Sequence, residues 1–363
     1  MNFKERAQED ARKIILFFAA FIMILISSAG SEEFLRIENL QGFFQRLTGL
    51  CVLALALALP FAAGIKDVSA IGIYLLSISL SEKLRLSDWF SSEDLSVRLL
   101  ILSSFPVFVG LLFSLWGRWI SRFEDRILFL SIGLLLFFVG LSFWIKPALS
   151  PNCEAWFCGD HLLSARSVFY LMAPLILLLS VAAIRYFWPK FTWLGPVFIL
   201  WIGSILLLFV TYEYEGLPLG AILATISIFL MYSFLEHTRL GISLLAWGSH
   251  QEAAKLSGIS AKQVFAPAYF GLGFLASLAS LMEFRNFDRS QFHEAGDIGL
   301  LALSALIIGG LALRRQRYVV NAVLSGVIFV AALELLWATQ FQNQASFYAV
   351  LGVLVSLGVI VKR

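Results

Sequence analysis

Charge is scarce in this chain: Asp, Glu, Lys and Arg make up 14% of its 363 residues, where soluble domains carry about 25%. Histidine is scarcer still, at four residues, and cysteine stops at three. Whole signatures are missing as well. No G-x-x-x-x-G-K-[ST] occurs, so the chain has no P-loop with which to bind ATP itself. Neither H-E-x-x-H nor G-x-S-x-G occurs, which removes the helix-borne zinc hydrolases and the nucleophile-elbow hydrolases. His161, His237, His250 and His293 stand far apart in stretches that read as loops, and no His/Cys spacing suggests a metal site. The 27 basic and 24 acidic residues leave a net charge of +3, too balanced and too scattered for a nucleic-acid footprint.

Apolar residues fill the space that charge leaves. AVILMFWYC amounts to 60% and aromatics to 15%, with ten Trp, against about 45–50% apolar in ordinary domains. Runs of about 20 such residues, each enough to cross a hydrocarbon layer of ~30 Å, recur almost end to end. They lie near 14–30, 47–64, 68–80, 99–116, 127–145, 167–184, 192–211, 217–235, 264–284, 298–313, 318–340 and 345–361. The pattern predicts one all-α transmembrane domain over 1–363, a polytopic protein of ten to twelve helices in contact with membrane lipid. The stretch 68–80 is shorter than the ~17 residues of a clean span. With the break at Gly64-Ile65-Lys66-Asp67 before it, it reads either as part of a discontinuous helix or as an ordinary turn.

Orientation follows from Lys and Arg, which are retained on the cytoplasmic side. With the N-terminus inside, 18 of the 27 basic residues fall in cytoplasmic segments, among them Lys66, Arg118, Arg122, Arg126, Arg239, Lys255 and Lys262. Both termini are then cytoplasmic. Cys153 and Cys158, flanking a polar loop, fall outside, where a local disulfide is open to them. Cys51 lies in an apolar run and reads as a small buried hydrophobe. The segment 14–30, with acidic residues in its basic leader, reads as an uncleaved anchor rather than a signal peptide.

Intramembrane charge is rare, and Glu334 in Leu333-Glu334-Leu335 is its clearest case. A charge at that depth is a functional candidate unless it lies close enough to the interface to snorkel. Asn286, Asp288 and Glu334 are candidates for the outer mouth of a substrate path, and Asp67 and Ser69 for its backbone break. Glu82, Asp88, Glu93 and Asp94 read as a solvated face. Small residues four apart, Gly273/Ser277, Ala276/Ser280 and Ala305/Gly309, share helix faces and suit close helix packing in lipid.

The longest cytoplasmic loop between later spans reads His237-Thr238-Arg239-Leu240-Gly241, then Leu245 to Ile259. It predicts a short amphipathic helix, Gln251 to Leu256, with Ala253 and Ala254 on a surface that a partner's groove can close on. Glu252 and Lys255 flank that surface, and Gly248 and Gly258 bracket the helix as flexible or left-handed positions.

This loop resembles that of the permease subunits of ribose/xylose/galactose-type ABC importers, in the branched-chain amino acid and sugar permease family. The family's pattern is approximately T-R-[FL]-G, a spacer, then A-x-G-x-N-x-x-A-A-x-x-S-G-I. Thr238, Arg239, Leu240, Gly241, Ala246, Gly248, Ala253, Ala254, Ser257, Gly258 and Ile259 match it, with Ser249 or His250 in place of the Asn. Asp67-Val68-Ser69 is similar to the family's early G-x-D-L-S-V-G element, and Gly273 to Ser280 to its G-x-L-A-x-L-A-G helix. After Gly309-Gly310 the family's second glycine cluster is replaced by Leu311 to Arg317.

The resemblance implies a divergent permease subunit, not itself an enzyme, in a bacterial inner (cytoplasmic) membrane. It implies import of a small polar solute, a monosaccharide first, by alternating access. In that reading Gly248, Glu252, Ala253, Ala254, Ser257 and Gly258 form the ATPase-coupling loop. The implied partners are ABC ATPase subunits that use ATP, a second permease (a like or unlike copy) and an extracytoplasmic substrate-binding protein; the chain itself holds no cofactor. Nucleosides or branched-chain amino acids are alternative solutes within the family. An ion-driven carrier or a membrane scaffold are the alternatives outside it.

Overall fold

The computed structural model describes residues 15–26, 37–85, 95–123, 126–145, 219–283, 292–310, 319–340 and 344–360. Contacts group the chain into Met1–Pro151 with Leu223–Arg363, and separately Asn152–Ile222. Of the smaller unit only the residues from Leu219 onward, the start of a helix, are described.

Among the described residues there are twelve helices and no strand. They are α1 (Ile15–Ile26), α2 (Ile37–Ala62), α3 (Ser69–Arg85), α4 (Leu95–Ile120), α5 (Ile127–Ile145), α6 (Leu219–His237), α7 (Arg239–Ser249), α8 (Gln251–Leu256), α9 (Ala261–Glu283), α10 (Phe292–Gly309), α11 (Val319–Gln340) and α12 (Gln344–Ile360). The all-α architecture expected from the apolar runs is the one observed. The runs at 167–184 and 192–211 lie outside the described residues, as do Cys153, Cys158, Asn286 and Asp288. By length and apolarity, Ala261–Met282 and Val319–Trp337 each suffice to cross a membrane, and the remaining apolar helices are shorter stretches.

Helices α2 and α9 form the centre. α9 packs on α4, α2 and α3, while α10 packs on α11, α2 and α12, and α3 on α5. In α2 the alternation Leu53, Ala54, Leu55, Ala56, Leu57, Ala58 is buried on every face, as expected of a helix surrounded by others. Cys51 is buried there and free.

Small residues set the closest approaches. A Cβ at Gly117 of α4 would stand 2.7 Å from the Phe265 carbonyl oxygen of α9 and 2.8 Å from Tyr269 Cβ. One at Gly273 would stand 3.0 Å from Phe113 Cβ. On the other side of the bundle, a Cβ at Gly309 would collide with the Ala322 carbonyl, and one at Gly326 with the Ala305 carbonyl. The face predicted for Ala305/Gly309 therefore meets a matching Ala322/Gly326 face on α11, backbone against backbone, which is how helices associate where lipid removes the hydrophobic drive.

Three serines inside the bundle are satisfied locally. Ser277 Oγ donates to the Gly273 carbonyl (2.7 Å), Ser325 Oγ to Ala322 (2.9 Å) and Ser227 Oγ to Leu223 (2.7 Å). Such back-bonding hides a hydroxyl in its own helix. His237 and His293, expected in loops, are helical, because apolar runs on one side of each continue the helix through them.

Candidate coupling site

The site is built where α6 turns into α7. Thr238 stands between the two helices with extended backbone and caps α7: its Oγ1 accepts from the Gly241 amide at 3.0 Å and donates to the Phe234 carbonyl at 2.6 Å. A Cβ at Gly241 would collide with the Phe234 carbonyl, so the Thr-Arg-Leu-Gly run encodes one tight helix-to-helix corner. α7 then buries Gly241, Leu244 and Trp247 on one stripe. Trp247 meets Phe265 of α9 edge to face, with ring centroids 6.4 Å apart.

Gly248 corrects the reading drawn from sequence. It is not among the glycines with positive φ; it is helical, and its lack of a side chain serves a close approach. A Cβ there would collide with the Ala62 carbonyl at the end of α2, and a Cβ on Gly64 would stand 3.5 Å from Gly248 Cα. Gly64 (φ 76°) ends α2, with Ile65 N–H donating to the Pro60 carbonyl at 2.8 Å and Gly64 N–H to Phe61 at 3.0 Å. That is a left-handed glycine cap with its paired 6→1 and 5→2 bonds. The break at 64–67 is thus a capped turn between two helices.

α8 ends in the same way. Gly258 (φ 83°) is the left-handed residue that was expected, with Ile259 N–H donating to Ala254 and Gly258 N–H to Lys255, both at 3.0 Å. Ala254, expected on the outer surface, is 5% exposed and packs inward, since the cap folds Ile259 back beside it. The outward face is Glu252, Ala253, Leu256, Ser257 and Gly258. Leu256 is 90% exposed, a bare leucine on a short helix fixed at both ends. Lys255 Nζ lies over the Trp247 ring, 5.5 Å from its centroid.

The turn after α2 is bolted from beneath. Asp67 is fully buried; its Oδ1 accepts from the Ser69 amide at 2.7 Å, capping α3, and Tyr269 Oη of α9 donates to its Oδ2. Burial pushes the Asp67 carboxyl above the ordinary carboxylate range, opposed by the bonds from Tyr269 and Ser69. Asp67 and Ser69, candidates for the substrate path, are both buried in this joint. Glu334 is half-buried on α11. The structure thus joins Gly248 to the end of α2, places Ala254 and Gly258 in the cap of α8, and ties Asp67 and Ser69 to Tyr269 of α9, while Glu252, Ala253 and Ser257 are exposed on α8 and Glu334 lies on α11. Tyr269 escaped the sequence reading, although a tyrosine in an apolar helix signals a hydroxyl in need of a partner.

The family described as "Branched-chain amino acid transport system / permease component" matches residues 39–359. The chain belongs to this family. Its members' description places it in a membrane as a transport component, in agreement with the apolar helices above. A fructose import permease of Bifidobacterium longum is 28% identical over 120 residues, 33% of this chain and 34% of that protein. The ribose import permease of Escherichia coli K12 is 29% identical over 119 residues, 33% of this chain and 37% of that one. That of Bacillus subtilis is 26% identical over 150 residues, 41% and 46% respectively. The matches span about a third to a half of the length of these curated relatives. No solved structure matches the chain.

Proposed function

We propose that the chain is the membrane-spanning subunit of an ABC importer in a bacterial inner membrane, moving a monosaccharide by alternating access while separate ATPase subunits supply the energy. Family membership supports the transport role, and the relatives named as ribose and fructose import permeases support the sugar. One observation carries the mechanism: α8 is held by a glycine cap, Ala254 and the Gly248–Ala62 approach, yet presents Leu256 to solvent at 90% exposure. A rigid short helix with a bare apolar tip suits insertion into a partner's groove.

The same end of the bundle carries Lys66, Arg118, Arg122, Arg239, Lys255 and Lys262 at its surface, which supports a cytoplasmic location by the positive-inside rule and, with it, cytoplasmic termini. Motion of a docked ATPase would reach the bundle through Gly248 on the α2 end and from there through Asp67 and Tyr269 into α9. A second permease and an external binding protein complete the assembly in this reading, and the disulfide Cys153–Cys158 and an outer path past Asn286, Asp288 and Glu334 belong to it as proposals.

The test is to tag the chain in its native host, solubilise it gently and identify what co-purifies, with Ala253→Arg as the paired variant, because Ala253 is exposed and its replacement leaves the packing of Ala254 intact. The expected result is an ATPase subunit with the parent chain, lost with Ala253→Arg, together with ATP-dependent uptake of ribose or fructose in preference to leucine. Uptake that persists without ATP, or no ATPase with either form, overturns the reading.

A further inference from the structure

A cavity of about 750 Å³ opens beside the coupling site, between α4, α6 and α9. Its wall is almost wholly apolar, with Leu230, Met231, Phe234, Phe270 and Phe274 prominent, while Arg118 and Lys262 stand at one end and none of the lining residues is acidic. Arg118 lies in the last turn of α4 and Lys262 in the first turn of α9. The tight approach of Gly117 to Phe265 keeps those two helix ends side by side, and both cations are exposed.

Polarity and length select the occupant. A monosaccharide needs partners for several hydroxyls, and here Ser227 Oγ is turned to the Leu223 carbonyl and Gln263 Oε1 accepts from the Ser260 amide. From Lys262 to Leu275 the lining of α9 extends 13 residues, about 20 Å at 1.5 Å per residue. One leaflet with its headgroup region measures about 20–22 Å, half of the ~40–45 Å bilayer. The flanks are lipid-facing in character: Leu111, Leu115, Trp119, Ile226 and Phe229 are exposed. Trp119 packs at a tilt against Trp116 and Phe123 beside Arg118, as in an interfacial aromatic belt.

We propose that this groove binds one anionic phospholipid of the cytoplasmic leaflet, its phosphate between Arg118 and Lys262 and an acyl chain along α9. The leaflet assignment, though not the binding, rests on the orientation proposed above. Because α7 also borders the groove through Leu240, an occupied groove adds a wall to the α6–α7 corner that carries the coupling helix.

The test uses the full chain, delipidated in detergent and titrated with dioleoyl phosphatidylglycerol or the zwitterionic phosphatidylcholine with the same chains, the adducts being read by native mass spectrometry. Two cations near a membrane surface imply a preference on the order of 10-fold or more for phosphatidylglycerol. Arg118→Ala/Lys262→Ala should remove that preference, and Arg118→Lys/Lys262→Arg, which keeps the charge, should retain it. Equal binding of both lipids to the parent chain, or a preference that survives the double alanine variant, overturns the proposal. So does glycerol phosphate competing as well as the whole lipid, which would make the site one for a soluble anion. Orientation is read separately: with Cys51→Ala/Cys153→Ser/Cys158→Ser as background, Lys255→Cys should react with an impermeant maleimide in inside-out vesicles. Reaction in right-side-out vesicles instead moves the lipid to the outer leaflet and contradicts the coupling reading, without touching the lipid preference.

Discussion

Helices α5 and α9 are both apolar runs with two glycines, yet their glycines meet different surroundings. In α5 a Cβ at Gly133 or Gly140 would meet nothing within 4 Å among the described residues, and Phe129 and Trp144 are 77% and 80% exposed. In α9 a Cβ at Gly271 would collide with Leu59 Cδ1 and one at Gly273 would press on Phe113 and the Val109 carbonyl. Hydropathy registers only that both helices prefer lipid to water. What separates a helix inside the bundle from one at its rim is whether its small residues line up with small residues or backbone on a neighbour.

The strongest way to break this comparison is to fill a glycine at a backbone crossing. Gly326→Val and Gly248→Val each drive a branched side chain into a carbonyl of the facing helix, and losses of more than about 4 kcal/mol are expected. Size-exclusion profiles in detergent should then show loss of the monodisperse protein for Gly326→Val. Gly248→Val should instead free the α7–α8 corner, visible as new protease cleavage near 250.

Next in size is Tyr269→Phe, which leaves Asp67 Oδ2 buried without its donor at a cost of about 1–3 kcal/mol. A fall in Tm for Tyr269→Phe, with the secondary structure unchanged, would fit the joint described above; an unchanged Tm would show that α3 and the α2 turn do not depend on it. Thr238→Ala removes a cap worth about 1 kcal/mol, and Thr238→Ser should restore it, as followed by amide exchange at Gly241. At the small end, Gly140→Ala should be neutral or stabilising by up to ~1 kcal/mol, since only helix propensity changes. If Gly140→Ala proved as harmful as Gly326→Val, the contrast between rim and interior would fail.

Much of the fold was legible because apolar length acts on every helix at once. The runs at 127–145 and 318–340 agree with α5 and α11 nearly residue for residue. The Gly258 cap was legible too, because it is a local device whose residues sit within a few positions of one another, whereas Thr238–Gly241, read as part of a loop, is the capped start of a helix, α7. What sequence hid is pairwise and distant. Gly309 announces a close approach but not that Ala322 receives it. Asp67 announces polarity at a helix break, and only the fold supplies Tyr269, 202 residues away. Ala253 and Ala254 look equivalent in sequence, and a single left-handed glycine decides that one faces inward and the other out.

The measurement closest to the centre of the account is photo-crosslinking in native membranes from a photoreactive phenylalanine analogue placed at Leu256, with Val353 on α12, also exposed, as reference. A crosslink from position 256 to a cytoplasmic ATPase subunit is expected, and only lipid adducts from position 353. Lipid adducts alone at both positions would contradict it, because the bare tip of α8 would then be one more membrane-facing leucine.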